Sequence, residues 1–212
     1  MIEGPAIFSG PQTPEEIQFY PATLADIDDI LQIQELNSFN KVIKDKTKEE
    51  IERSGFLVHL LTKEEITELL EKTEDVKIMV CRENGKVVGY IVGYTMKLWK
   101  SLNPNWIDGI NFKEGFNKEA ISDEQSIYLR HVAVSQGAKA GVGAKMSKEL
   151  IKIYEGDGYT SILAEILKEP YQNRPSYLVH TRMGFKEIAE IEENYDGELY
   201  KWGLYKKDFI EN

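Results

Sequence analysis

The apolar positions of the chain follow strand-like and helix-like periods from about residue 17 onward. Residues 1–16 contain three prolines and two glycines and show no period, which is typical of a mobile tail. The alternation at residues 17–20 predicts a first strand. Thr23 is the expected N-cap of a helix that begins near Leu24, where apolar residues recur at helical spacing.

Short sequence signals mark the next elements. Thr47 and Thr62 are each followed three residues later by a glutamate, a capping-box pattern that predicts the start of a helix. Asn84-Gly85 separates two apolar runs and is the strongest hairpin signal in the sequence. Residues 99–124 form a polar, glycine-containing interruption, which nevertheless holds several large apolar side chains.

A strand, a glycine-rich turn and a helix follow one another between residues 126 and 154. The apolar run at residues 126–134 predicts the strand, and an amphipathic helix follows at residues 144–154. Residues 135–143, between them, include three glycines. The free N–H groups and the positive dipole end of such a helix converge on one point. That point suits a phosphate.

The remaining pattern predicts a strand, a helix and two closing strands, at residues 161–166, 173–183, 186–192 and 199–206. No repeat or linker separates two domains. We therefore expect a tail at residues 1–16 and a single α/β domain over residues 17–212. Its central sheet is expected to be mixed, mostly antiparallel, and flanked by helices.

Composition limits the classes of partner. The 212 residues include 36 acidic and 26 basic side chains, a formal net charge of −10. Nucleic acid is therefore not an expected partner, whereas a small cationic substrate is compatible with that field. No apolar run approaches the length of a membrane span, so no membrane partner is expected and the cytoplasm is the expected location.

Cysteine and histidine give little support to redox or metal chemistry. Cys81 is the only cysteine, so an internal disulfide is excluded, and its apolar neighbours favour a buried, inert thiol. His59, His131 and His180 have no recognisable metal-ligand spacing, so no metal is expected.

Asn173 and His180 lie seven positions apart in the later predicted helix, and Gly184-Phe185 follows it; Gly141 and Gly143 lie in the glycine-rich turn. Together these two motifs resemble those of the GNAT superfamily of acyl-CoA-dependent N-acyltransferases. In that family a glycine loop reads Gln/Arg-x-x-Gly-x-Gly/Ala, and a later helix reads roughly Asn-x-x-Ala-x-x-x-Tyr-x-x-x-Gly-Phe. The residues of this chain that fall on the second spacing without a gap are Asn173, Ser176, His180, Gly184 and Phe185. The resemblance covers about residues 17–205.

The first motif matches in part. Gly141 and Gly143 take the two glycine positions, but Ala138 stands where the family has Gln or Arg, and Lys139 could supply the phosphate contact instead. The resemblance implies that the loop grips the pyrophosphate of acetyl-CoA and that the preceding strand pairs with its pantetheine arm. The implied cofactor-binding residues are Val132, Ala133, Val134, Gly137, Ala138, Lys139, Ala140, Gly141, Val142, Gly143, Ala144, Asn173 and Ser176.

The resemblance also implies a reaction. An acetyl group would pass from acetyl-CoA to a primary amine by direct attack in a ternary complex, without a metal. His180 stands where the family often has a tyrosine that protonates the coenzyme A thiolate; the alternative is a packed histidine that covers the pantetheine. Glu165 and His131 are the candidate bases, although each could equally be structural. Arg130 is expected to flank the site or to form a surface ion pair.

Two other interpretations stay open. A non-catalytic GNAT-like module could bind an acyl-CoA and serve regulation or assembly, or an α/β protein could lack a cofactor altogether. The acceptor, a small-molecule or peptide amine, is not encoded in a motif. The apolar residues at 99–124 predict that this segment contributes to the acceptor pocket or to a homodimer contact.

Overall fold

The computed structural model describes residues 17–122, 124–195 and 197–209, and the predicted tail at residues 1–16 lies outside them. The strands are β1 (Gln18–Pro21), β2 (Val76–Glu83), β3 (Lys86–Thr95), β4 (Ile110–Phe112), β5 (Ser126–Val134), β6 (Ser161–Glu169), β7 (Lys186–Tyr195) and β8 (Glu198–Asp208). The helices are α1 (Ile27–Leu36), α2 (Phe39–Val42), α3 (Lys48–Ser54), α4 (Lys63–Glu71), α5 (Met96–Leu102), α6 (Glu119–Ser122), α7 (Val142–Gly156) and α8 (Arg174–Arg182). Two 3₁₀ turns lie at Leu24–Asp26 and Trp106–Gly109.

The strands form one sheet in the order β1-β2-β3-β5-β6-β8-β7-β4. Every neighbouring pair is antiparallel except β5 and β6, which are parallel. Parallel neighbours need a crossover connection, and α7 supplies it. The pair divides the sheet into a first half-sheet (β1, β2, β3, β5) and a second half-sheet (β6, β8, β7, β4). The expected fold class, with its mixed and mostly antiparallel sheet, is confirmed.

Apolar side chains fix helices to both faces of the sheet. On one face α1, α3 and α4 pack through Ile30, Ile51 and Ile66, and on the other α7 packs through Met146 and Leu150. All five side chains are nearly fully buried, and each such burial contributes about 1.5–3 kcal/mol. None of the helices in the described ranges is both long enough and apolar enough to cross a membrane.

The structure confirms the helix caps and the hairpin turn that short sequence patterns predict. Thr47 and Thr62 cap α3 and α4, and each forms a capping box with the glutamate three residues later. Asn84 and Gly85 form the predicted hairpin turn with positive φ angles of 53° and 77°, as a two-residue turn requires. Thr23 precedes a 3₁₀ turn, from which α1 continues.

Residues 99–124 are not the turn-like interruption that the sequence predicts. The segment contains most of α5, a 3₁₀ turn, β4 and α6, and β4 pairs with β7 at the far edge of the sheet. Trp99 is only 6% exposed. The prediction is wrong because the apolar residues here pack against strands that are distant in the sequence, and a local pattern does not reveal such partners.

Candidate active site

A fork between the two parallel strands opens the sheet. β5 and β6 pair only from Ser126 with Ser161 to Leu129 with Ala164. Beyond that point β5 pairs with β3 alone and β6 with β8 alone. A cavity of about 350 Å³ lies in the fork, lined by both strands, by the start of α7, by α8 and by residues 54–59.

The cavity has two chemically different ends. The glycine end comprises residues 132–144, from the last part of β5 to the first turn of α7. The carboxylate end comprises Tyr128, Arg130 and Glu165, together with Trp99 and Trp106, which pack against these three residues.

At the glycine end, β5 has a free edge. The Ser135 N–H donates to the Val88 carbonyl at 2.8 Å, which sets the phase of the ladder between β3 and β5. Because bonded and non-bonded pairs alternate in an antiparallel ladder, the backbone groups of Val132 and Val134 face the fork. Asn37 agrees with this phase, since its Nδ2 donates to the Val134 carbonyl at 3.0 Å. Val132 therefore presents an N–H and a C=O to the cavity.

The glycine loop ends at a helix start that is open to the cavity. Gly141 is the N-cap of α7 in the left-handed region, with φ of 85°. The N–H groups of Gly143 and Ala144 lie in the first turn, where a helix offers no carbonyl partner, and both residues line the cavity. A Cβ at Gly141 would have no neighbour within 4 Å, and one at Gly143 would lie 3.6 Å from Val132. Open space over free N–H donors is the arrangement that accepts a phosphate.

The loop side chains face away from this space. Ala138 packs against the apolar cluster around α7, so the position that carries Gln or Arg in the resembling motif has no polar group here. Lys139 forms an ion pair with Glu83, with Nζ 2.6 Å from the carboxylate oxygen. The predicted loop residues that do not line the cavity are Gly137, Ala138, Lys139, Ala140 and Val142.

Asn173 ties α8 to the loop that covers the cavity. Its Oδ1 accepts the N–H of Ser176 at 3.3 Å and thereby caps the helix. Its Nδ2 donates to the Phe56 carbonyl at 2.8 Å. Both Asn173 and Ser176 line the cavity. The amide thus fixes residues 54–59 over the fork.

His180 is buried in α8 with one ring nitrogen engaged by the protein. Its Nδ1 lies 2.7 Å from the Ser176 carbonyl oxygen, which can only accept, so Nδ1 carries the proton in the neutral ring. Nε2 is buried without a hydrogen-bond partner among the described residues. The ring packs edge-on against Phe185 at 4.8 Å. Burial lowers the pKa of His180 below its usual value, although the Ser176 carbonyl acts in the opposite direction.

Glu165 is the carboxylate of the carboxylate end. Trp106 Nε1 donates to its Oε1, and Tyr128 forms a second side-chain hydrogen bond with it. Burial raises the pKa of Glu165, while these two hydrogen bonds and the charge of Arg130 oppose the rise. A carboxyl group with a raised pKa is better matched to proton transfer near neutral pH than an exposed one.

Arg130 reaches the carboxylate end through an irregularity in β5. His131 pairs with Val92 and Leu129 with Gly93, so Arg130 is an extra residue on its strand. Such a bulge re-aims a side chain. The guanidinium lies over the ring of Trp99, 5.3 Å from its centroid. The sequence left open a surface ion pair, but Arg130 lines the cavity.

His131, the second candidate base, lies deeper than Glu165. It is 4% exposed, and its Nδ1 is 3.3 Å from the hydroxyl of Tyr90. Burial holds the pKa of His131 well below its usual range, and Arg130 acts in the same direction. His131 is therefore neutral near pH 7, and the same burial disfavours its protonated form.

No sequence pattern indicated three of the residues that line the cavity, which are Asn37, His59 and Trp202. Asn37 follows α1 and reaches β5. His59 stacks on Trp202 with centroids 5.7 Å apart, and its Nε2 lies 3.7 Å from a carboxylate oxygen of Glu193. These contacts join a helix end or a loop to remote strands. Only the pairing of the strands could have revealed them.

A family model spans the residues that form the fork, the glycine-capped helix start and the later helix. The model of the acetyltransferase (GNAT) family matches residues 44–185. The chain belongs to this family. The expected enzyme class, an N-acetyltransferase that uses acetyl-CoA, is confirmed at the level of the family.

Solved structures of GNAT proteins share the fold of this one at low sequence identity. A ribosomal-protein-alanine N-acetyltransferase from Brucella melitensis is 19% identical with a TM-score of 0.60, covering 91% of this chain and 99% of that one. An N-acetyltransferase from Staphylococcus aureus Mu50 is 18% identical with a TM-score of 0.59, covering 91% and 98%. An N-acetyltransferase from Thermoplasma acidophilum, solved with coenzyme A, is 13% identical with a TM-score of 0.56, covering 92% and 99%. No curated protein sequence matches the chain.

Proposed function

We propose that this GNAT protein transfers an acetyl group from acetyl-CoA to a primary amine by direct attack within a ternary complex. The observation that carries the proposal is the convergence of three features on one cavity. These are the free edge of β5, the glycine-capped start of α7 and the half-buried carboxylate of Glu165. Holding both reactants in one fork supplies much of the rate in such a reaction.

The glycine end fits a coenzyme A thioester. The first-turn N–H groups of Gly143 and Ala144 would hold the pyrophosphate, and the free groups of Val132 would pair with the amides of the pantetheine arm. Acetyl-CoA, when bound, supplies an acyl group activated as a thioester. Lys139 is already paired with Glu83, so we assign the phosphate contact chiefly to the backbone.

Glu165 is the base that the geometry favours for the amine. It lines the cavity, and its carboxylate is oriented by hydrogen bonds from Trp106 and Tyr128. It would take the proton directly or through one water. His131 is the second candidate, because its buried neutral ring also lines the cavity.

We keep His180 as the residue that protonates the departing thiolate, with one condition set by its tautomer. Since Nδ1–H is bound to the Ser176 carbonyl, Nε2 must first receive a proton before it can donate one. The low pKa of His180 favours rapid loss of that proton again. The proton that Glu165 takes from the amine, relayed to Nε2 and then passed to the sulfur, satisfies the balance of the reaction.

The remaining expectations follow from the same site. We propose that residues 17–212 are one catalytic domain in the cytoplasm. We also propose that residues 99–124 form part of the acceptor pocket, because Trp106 bonds Glu165 and Trp99 stacks on Tyr128 with centroids 3.9 Å apart. A homodimer contact through this segment is the alternative role.

Calorimetry with acetyl-CoA, followed by thiol release with a panel of amines, tests the proposal. We expect saturable binding and amine-dependent release of coenzyme A. Binding without release with any amine would favour a non-catalytic acyl-CoA-binding module. Absence of saturable binding would favour an α/β protein without this cofactor.

A further inference from the structure

The charges that line the cavity differ from the charge of the whole chain. The formal net charge is −10, yet among the described residues that line the cavity the fully charged types are Arg130 and Glu165 alone, accompanied by His59, His131 and His180. A half-buried charge that lines a cavity acts on a ligand there more strongly than the screened surface charge does. The acceptor should therefore be inferred from Arg130 and Glu165 and not from the overall acidity.

Arg130 is held in place by neutral groups. Its guanidinium lies over Trp99 and shares a hydrogen bond with Tyr128, and the two rings stack with an interplanar angle of 7°. Glu165 and Glu193 are close enough to feel its charge. Within the described ranges, however, no carboxylate oxygen lies within the 4.0 Å of an ion pair with it. The guanidinium therefore retains donors for a ligand.

We propose that the acceptor is a free amino acid, whose carboxylate is bound by Arg130 while its amine faces Glu165. This inference rests on the proposed function, since it names the substrate class of the same site. A guanidinium offers the planar pair of donors that matches a carboxylate. Arg130 is the extra residue of the bulge in β5 and lies two positions before Val132 on the same strand.

The same charges disfavour the other common classes of amine. A polyamine carries a second ammonium group. In this cavity Arg130 would repel that group, and no second carboxylate among the described lining residues would bind it. A protein N-terminus has an amide in place of the carboxylate, and its chain would have to pass residues 54–59, which wall the cavity. A volume of about 350 Å³ that also receives the end of pantetheine leaves room for a small acceptor.

The test compares each accepted amino acid with its own amide and its own decarboxylated amine. We expect the wild-type protein to acetylate at least one of the twenty amino acids with a kcat/KM about 10- to 100-fold above that of the amide, the range for one charge-assisted hydrogen-bonded pair. The amide has the less basic amine, so more of it is unprotonated at a given pH. That difference works against the expected result and makes the comparison stringent.

Variants of Arg130 test whether this side chain causes the preference for the amino acid over its amide. In Arg130→Gln the ratio between acid and amide should fall to about threefold or less, and Arg130→Lys should keep part of it. Arg53→Gln, on the exposed face of α3 beside Glu49, is the matched control and should keep the wild-type ratio. Thermal melting and acetyl-CoA binding establish that each variant is folded.

The outcomes separate this inference from the proposed function. Acetylation of polyamines or N-terminal peptides, with no amino acid accepted, overturns the substrate class and leaves the transferase intact. An unchanged acid-to-amide ratio in a folded Arg130→Gln protein overturns the role of Arg130. Failure to bind acetyl-CoA overturns the proposed function itself.

Discussion

The glycine end of the cavity presents backbone groups to its ligand, whereas the carboxylate end presents side chains. At the glycine end, Val132, Gly143 and Ala144 offer N–H and C=O groups whose directions follow from the strand and the helix. At the carboxylate end, Glu165 is oriented by Trp106, which lies 59 residues away along the chain. One end is thus set by local conformation and the other by tertiary packing.

This difference indicates which end of the cavity can change its ligand when side chains are substituted. Backbone recognition tolerates changes of side chain as long as the glycines remain, and Gly141 caps α7 in the left-handed region although Ala138 stands where the motif has a polar residue. Side-chain recognition changes with each substitution. A protein family can therefore keep one cofactor while its acceptors diverge.

Filling the glycine end should have the largest effect. In Gly141→Glu and Gly143→Glu a side chain would occupy the open space over the first turn and an added anion would repel phosphate, so acetyl-CoA binding should be abolished while the protein stays folded. Calorimetry measures the loss. Gly156→Glu, at the other end of α7 and equally free of neighbours within 4 Å, is the matched control. Wild-type affinity in either loop variant would mean that the loop is only a turn.

Neutralising the carboxylate end should reduce turnover and leave acetyl-CoA binding unchanged. Glu165→Gln should lower kcat about 10²- to 10⁴-fold if Glu165 is the base. Glu192→Gln, on an exposed part of β7, is the control.

The pH profile sharpens the same prediction. Because the pKa of Glu165 is raised by burial, the active carboxylate forms as the pH rises through that raised value. Activity should therefore be lost on the acid side at a higher pH than for an ordinary glutamate. In Glu165→Gln this acid-side loss of activity should disappear, so the remaining pH dependence should reflect only the ionisation of the amine substrate. A limb that persists unchanged would point to His131 instead.

Removing the buried imidazole should have an intermediate effect. His180→Ala should lower kcat about 10- to 1,000-fold, because water would then have to protonate the thiolate. His180→Tyr should restore part of the loss, since a phenol can donate a proton from the same position. Steady-state kinetics decide between the two roles of the ring. An unchanged kcat with a much higher KM for acetyl-CoA would end the acid assignment.

The smallest effect is expected at residues 99–124. Trp106→Phe removes the N–H donor to Glu165, which should raise the pKa of Glu165 further and move the acid limb upward by about one pH unit or less. The homodimer contact is tested at Phe116, whose side chain is 39% exposed. If the segment forms that contact, Phe116→Ser should sediment with a lower mass than the wild-type protein. Unchanged acceptor kinetics in the first variant and unchanged sedimentation in the second would reject both roles of the segment.

Sequence patterns predicted the parts of the fold that local backbone geometry determines. The turn at Asn84-Gly85, the caps at Thr47 and Thr62 and the helix after Gly141 each depend on a few neighbouring residues. For that reason the glycine end could be located before the strand order was known.

The carboxylate end could be predicted only in part. Glu165, His131 and Arg130 lie on strands that the sequence predicts beside the proposed acyl site, and all three line the cavity. The partners that determine their chemistry were not visible. Trp106 is placed by β4, which pairs with β7, and Tyr90 reaches His131 from β3. Such partners depend on strand order, which no local pattern encodes.

The excursion of the chain through β4 also has a mechanical consequence. Residues 99–124 leave the first half-sheet at α5, hydrogen-bond to the outermost part of the second half-sheet through β4, and return to begin β5. The two half-sheets are otherwise joined in the ladder by the short run from Ser126 to Leu129. The segment thus connects the two half-sheets a second time, at a place remote from the ladder between β5 and β6. A second connection of this kind limits the relative motion of the half-sheets, and a site that moves less loses less conformational freedom when substrates bind.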